Sequence, residues 1–104
     1  MSTQVVNEFH ALPGRGGDVL NLLIELSPVS RTRPGCEAIS IRVNADDPTN
    51  IVGDTRWATR EDYDNYLKWR TDNGYTAQFK DMLAEPMNIR YFDEVRAGDG
   101  PSPS

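Results

Sequence analysis

The succession of strand and helix patterns predicts an α+β fold, a ferredoxin-like βαββαβ sandwich with one antiparallel sheet. Three observations lead there. Apolar periodicities follow the order strand, helix, strand, strand, helix, short helix, strand. Residues 36–44 alternate with the period of a strand that has one apolar face. Several strands also carry apolar residues on both sides, Val5 and Phe9 against Val6 and Leu12, and Ile89 and Tyr91 against Phe92. Helices cover only one face of such a sheet, so a second copy of the chain, packed sheet to sheet, is the expected cover for the other.

The elements follow in order. "QVVNEFHAL" (4–12) is rich in strand formers and stops at the loop signal "PGRGG". Val19, Leu22, Leu23 and Leu26 fall at helical spacing, with Asp18 in the cap or first turn. Pro28 costs about 3 kcal/mol inside a helix, so a kink or break is expected near Ser27, with a short continuation to Arg33. In "CEAISIRVN" (36–44), Glu37, Ile39, Ile41 and Val43 alternate with Cys36, Ala38, Ser40 and Arg42. "ADDPTN" reads as a turn and "IVGDTRW" (51–57) as the third strand, where Gly53 leaves room on its face. Thr59 followed by Asp62 resembles a capping box, opening a helix from Arg60 to about Asn73, and Gly74 stops it. Tyr75, Phe79, Met82 and Leu83 share one face of a shorter helix ended by Pro86, and "MNIRYFDEV" (87–95) is the last strand. Residues 1–95 make one domain; "RAGDGPSPS" (96–104) has nothing to bury and reads as a disordered tail.

Composition removes several functions. A net charge of −5 disfavours nucleic acid and anionic membranes as partners, since both require clustered Lys and Arg. No apolar run reaches spanning length and the N-terminus lacks a signal pattern, so the expected location is cytoplasmic, and the single cysteine, Cys36, fits a reducing compartment. One His and one Cys on different strands do not make a zinc site, and no metal is expected. "PGRGG" lacks both the P-loop Lys-Ser/Thr and the dinucleotide spacing, so no nucleotide or flavin cofactor is expected. His10 and Cys36 read as an unrelated strand histidine and a small buried thiol rather than a catalytic pair. What remains is chemistry that a substrate can largely perform itself.

The distinctive groups are Asn7 in mid-strand, Trp57 at a strand end, and the face shared by Tyr63, Tyr66 and Arg70 at spacings of three and four. Asn is depleted in strands, so a buried Asn7 requires a hydrogen-bonding partner. Trp69 is rotated off the shared face and is assigned to packing at a dimer seam.

"TRWATREDYDNYL" resembles the strand-to-helix stretch E-x-W-x-S-x-E-A-Y-x-x-H of the antibiotic biosynthesis monooxygenase family. "ALPGRGGDVLNLL" resembles its Pro-Gly-started first helix, and "RPGCEAISIRVNADDPTNIV" its strand, Asp-Pro turn, strand segment, so that the likeness spans residues 4–95. The resemblance implies a dimeric α+β barrel with a pocket between sheet and helices. It also implies one of several activities: cofactor-free oxidation of phenols, quinols or anthrones by dioxygen, haem degradation, or isomerisation of a small signalling sugar. The family's tryptophan falls on Trp57 and its aromatic helix position on Tyr63. The haem-degrading branch combines a first-strand Asn, the Trp and a helix His; Asn7 and Trp57 match, but Tyr66 stands at the His position. The phenol-oxidising branch has an Asn four residues before the Trp, where this chain has Gly53.

The resulting expectation is a cofactor-independent monooxygenase acting on a small aromatic substrate with O2. A non-oxidative isomerase or binding protein is the alternative, and haem degradation the weaker one. Asn7, Trp57 and Tyr66 are the expected catalytic residues. Phe9, Arg42, Tyr63, Arg70 and Phe79 are the expected substrate-binding residues, with aromatic walls for a flat ring and Asn, Tyr or Arg groups for its oxyanion.

Overall fold

The structure, a computed structural model, describes residues 2–95, so the expected tail lies outside the described residues. The elements are β1 (Thr3–His10), α1 (Gly16–Arg31), β2 (Cys36–Asn44), β3 (Asp47–Trp57), α2 (Arg60–Asp72), α3 (Tyr75–Met82) and β4 (Asn88–Asp93). They form one sheet in the order β2-β3-β1-β4, with every neighbouring pair antiparallel. This is the expected ferredoxin-like α+β sandwich. No described helix is long and apolar enough to cross a membrane.

Strand β1 shows the strongest alternation. Thr3, Val5, Asn7 and Phe9 are buried toward the helices, while Gln4, Val6, Glu8 and His10 between them are only partly covered. Across the sheet Val5, Asn7 and Phe9 pair with Thr55, Gly53 and Ile51, and these in turn with Ile39, Ile41 and Val43. One row differs from the expected alternation. A register shift between Cys36 and Ala38 turns Cys36 to the covered side, beside Trp57, and sends Glu37 to the outer face, where it accepts from Ser2 and Arg56.

Two local expectations are corrected. Helix α1 runs unbroken through Pro28 to Arg31. The carbonyl that loses its donor belongs to Ile24, an exposed residue, so water can replace the missing bond, and the buried stripe continues from Leu26 to Ser30. Strand β3 begins at Asp47 rather than Ile51, because only Ala45 and Asp46 form the turn and Asn44 Oδ1 accepts from the Asp46 amide at 2.9 Å. Pro48 is tolerated because the register slips between Val43 and Asn44, leaving it outside the β2 ladder. Its carbonyl lies against Gly16, where any Cβ would clash, which ties the start of α1 to the hairpin.

The second half matches its signals closely. Thr59 caps α2, its hydroxyl accepting from the Asp62 amide at 3.1 Å. Gly74, at φ 84°, supplies the left-handed turn from α2 into α3.

Between sheet and helices the core divides in two. Phe9, Val19, Leu22, Leu23, Leu26, Ile51, Phe79 and Met82 form an aliphatic-rich cluster, and Val5, Trp57, Tyr63 and Tyr66 an aromatic one. The outer face mixes Val6, Val52 and Phe92 with the ion pairs Arg42–Asp54, Arg56–Glu37 and Arg90–Glu8.

Candidate functional site

Four of the six buried polar side chains among the described residues gather where the two clusters meet. Along β1, Val5 belongs to the aromatic cluster and Phe9 to the aliphatic one, and Asn7 stands between them. Asn7, Ser30, Thr55 and Arg70 are all less than one-tenth exposed. Together with Tyr66, Gly53 and aliphatic side chains of α1 and β2 they line a cavity of about 30 Å³. Buried polar groups on an otherwise apolar seam are costly unless bonded, so each bond they make is informative.

Tyr63 donates its hydroxyl proton to Asn7 Oδ1 at 2.8 Å. That bond fixes the orientation of the Asn7 amide: its oxygen faces Tyr63, and its N–H2 group is free to donate toward the cavity that Asn7 lines. Burial pushes the Tyr63 phenol from its ordinary 10.0 up to about 12, so Tyr63 holds its proton and works as a fixed donor. The Tyr66 hydroxyl shares a 2.7 Å hydrogen bond with Ser30 at the other wall. Thr55 accepts from Trp57 Nε1 at 2.8 Å and donates to the Val5 carbonyl at 3.2 Å.

Arg70, in the last turn of α2, is the unusual member. It is 2% exposed and forms no ion pair with any described carboxylate. Its Nη2 contacts Met87 Sδ at 3.5 Å, its Nε is buried without a partner, and the guanidinium carbon stands 5.6 Å from the Tyr66 ring and 5.5 Å from Phe79. The carbonyl end of α2 and the two ring faces offset part of the charge. An anion is the partner this guanidinium lacks.

Arg70 also borders a larger space. Phe79, Leu83, Pro86 and Met87, with Thr76, Lys80 and Glu85 at the edges, line an open groove of about 500 Å³. The groove has the volume of a small-molecule site and the cavity does not. Arg70 lines both.

Of the residues singled out from the sequence, Asn7, Tyr66 and Arg70 come together at the cavity, and Phe79 lines the groove. Trp57 and Tyr63 are fully buried and border neither. The Trp57 ring lies 4.9 Å from Tyr66 and 5.7 Å from Tyr63, so the two form the wall behind the cavity. Phe9 is in the aliphatic core, 5.0 Å from Phe79. Arg42 is not part of the cluster: it lies on the outer face, paired with Asp54. Trp69 is occupied within the chain, between Tyr66, Tyr75 and the Arg33 guanidinium. Cys36 packs against the aromatic cluster with its thiol pushed up by burial, and His10 faces Glu8 and Glu85, so the two do not meet. Among the described residues no group of three His, Cys, Asp or Glu side chains is placed to hold a metal.

Ser30 and Met87 were missed in the sequence. Ser30 falls four residues after Leu26 and continues the buried stripe, a signal hidden by the break expected at Pro28. Met87 reaches the groove from the loop before β4, where no periodicity marks it.

A family model described as antibiotic biosynthesis monooxygenase matches residues 3–85. No curated protein matches the sequence. Among solved structures, a protein from Mycobacterium tuberculosis superposes with a TM-score of 0.82 at 20% identity, over 92% of this chain and 97% of that one. A conserved protein from Methanosarcina mazei gives 0.82 at 14% identity, over 91% and 94%. SnoaB, a cofactor-independent oxygenase from Streptomyces nogalater, gives 0.79 at 11% identity, over 95% and 98%. At such identities the likeness establishes the shared fold.

Proposed function

The chain belongs to the antibiotic biosynthesis monooxygenase family, and from that premise we propose that it oxidises a small electron-rich aromatic molecule, a phenol, quinol or anthrone, with dioxygen and without a cofactor. The observation that carries this reading is the buried Arg70 guanidinium, without a carboxylate, at the junction of an apolar groove and a polar cavity.

The substrate's flat ring lies in the groove against Phe79, Leu83 and Met87, with its acidic oxygen toward Arg70. An opposite charge within a few ångströms favours the ionised form, so Arg70 lowers the pKa of the bound phenol or enol. The anion is the electron-rich species that reacts with dioxygen. For an anthrone the anion and O2 form a C–O bond as a peroxide, a proton is taken up, and loss of water leaves the carbonyl. One CH2 and one O2 become one C=O and one H2O. Tyr66 and Asn7 are poised to hydrogen-bond oxygen atoms during this passage, and Trp57 and Tyr63 hold those two side chains in place. The aliphatic and aromatic clusters on either side keep bulk water away from the peroxide.

The chain works as a homodimer in this reading, joined through the outer sheet face, where Val6, Val52 and Phe92 supply the apolar area.

Anaerobic mixing with a panel of quinols and anthrones tests the function. Binding is expected to shift the ligand's absorbance to that of its anion, and admitting air to start oxygen uptake. Anion formation with no oxygen uptake across the panel would overturn the oxidative reading in favour of a binding or isomerising role.

A further inference from the structure

We propose that the cavity of about 30 Å³ is a dioxygen pocket, separate from the substrate groove, in which Arg70 and the Asn7 amide hold the superoxide formed when the bound substrate anion gives up an electron. The proposal rests on the oxygenase reading and goes beyond it by giving the second reactant its own place.

Size comes first. The cavity exceeds the volume that holds one water and is far below that of an aromatic ring system, so its guest is a molecule of two or three atoms. The lining comes second. Leu23, Leu26, Ile39 and Ile41 give it apolar wall for a diatomic gas, while Asn7 and Arg70 add donors to a polar lining that also includes Ser27, Ser30, Thr55 and Tyr66. Neutral dioxygen needs no such donors. Superoxide does, because a cavity this small leaves no room beside it for the several waters that would otherwise stabilise its charge.

Position is the third consideration. Arg70 is the residue common to groove and cavity. Electron transfer from a ring anion in the groove to dioxygen in the cavity moves one negative charge from one space that Arg70 lines to the other. A cation that borders both, already desolvated and without a carboxylate, stabilises the charge before and after the transfer. Superoxide then leaves the cavity for the groove and combines with the ring radical there to the substrate peroxide. Loss of water from the peroxide completes the four-electron oxidation above, one CH2 and one O2 giving one C=O and one H2O. Access is the last. Ser27 and Ile41 border both the cavity and a surface depression beside Pro28 and Arg31, so dioxygen has a way in that does not cross the occupied groove.

Gly53 allows a selective test. A Cβ built on it meets only Leu23 Cδ2 and Phe9 Cε2, both at 3.8 Å, so Gly53→Ala fits the fold while its methyl takes up cavity space. The expected result is a KM for oxygen raised at least about fivefold, with the anaerobic Kd for the aromatic ligand unchanged. Bromide, a compact monovalent anion, is the second probe. Crystals soaked in bromide should show an anomalous peak within hydrogen-bond reach of Arg70 and Asn7, lost in Gly53→Ala, and bromide should compete with oxygen but not with the aromatic substrate. An active wild type whose Gly53→Ala variant keeps its oxygen dependence, or which takes bromide only in the groove or nowhere, overturns this proposal alone. A wild type that consumes no oxygen with any quinol or anthrone overturns the oxygenase reading, and this one with it.

Discussion

Replacing Arg70 with methionine removes one charge while keeping a long apolar stem against Tyr66 and Phe79. The guanidinium is 2% exposed, without an ionic partner, and its Nε has no acceptor. Burying an unpaired ion costs several kcal/mol, and the variant recovers that cost. Against it stand two cation–π contacts at 5.6 and 5.5 Å and one weak bond to the Met87 sulfur, together worth about 1–3 kcal/mol. The net expectation is a stability unchanged or raised by up to ~2 kcal/mol, seen as a melting temperature equal to or as much as ~10 °C above that of the wild type. Turnover should fall at least about a hundredfold, ~2.7 kcal/mol of transition-state stabilisation. Urea unfolding and oxygen uptake, measured on the same preparation, give both numbers. A loss of more than about 2 kcal/mol of stability, with activity per folded molecule retained, would make Arg70 a structural residue and refute the reasoning.

Tyr63→Phe leaves Asn7 Oδ1 without its donor, and a cost of about 1–3 kcal/mol in urea unfolding is expected. Because the Tyr63 pKa is raised in the folded state, to about 12 from 10.0, its contribution is fully present below pH 10 and fades as the pH rises through the folded value. Wild type should lose about 2–3 kcal/mol across that window relative to Tyr63→Phe, and parallel pH profiles would contradict the assignment. Trp57→Phe gives up the 2.8 Å bond to Thr55 and part of a fully buried ring; a loss of about 1–3 kcal/mol is expected with turnover changed less than about tenfold. A larger kinetic loss would place the indole at the substrate itself. Sedimentation at micromolar concentration should give a dimer, and a clean species near 11.7 kDa would remove the sheet-to-sheet assembly.

The fold was readable because its signals are local and repeated. The alternation of β1, the cap at Thr59 and the left-handed Gly74 each reflect a backbone requirement that few residue types meet. The misreadings fall where a tertiary contact overrides a local preference. Pro28 stays helical because the packed stripe from Val19 to Ser30 holds both sides of it. Pro48 stays in a strand because a register slip leaves it unpaired. The site was partly readable. Asn7 and Arg70 stand out as polar residues where the period demands burial, and the structure brings both to one cavity. Arg42 could have been excluded from the sequence, since the alternation in β2 already sets it on the face opposite Ile39, Ile41 and Val43, and the structure keeps it on that outer face with Asp54. Trp57 and Tyr63 were expected at a pocket surface because ring size does not tell a wall from the layer behind it.

The fate of the oxygen atoms separates cofactor-free oxygenation from a metal-dependent or solvent-derived route. Protein stripped with a strong chelator, shown by elemental analysis to carry no metal, is given an anthrone or quinol under 18O2, and product and water are examined by mass spectrometry. One O2 is expected to be consumed per substrate oxidised, and for an anthrone one 18O atom to appear in the new carbonyl and the other in water. Activity that vanishes with the metal and returns on its addition, or a new carbonyl carrying only 16O from solvent, would contradict cofactor-free oxygenation.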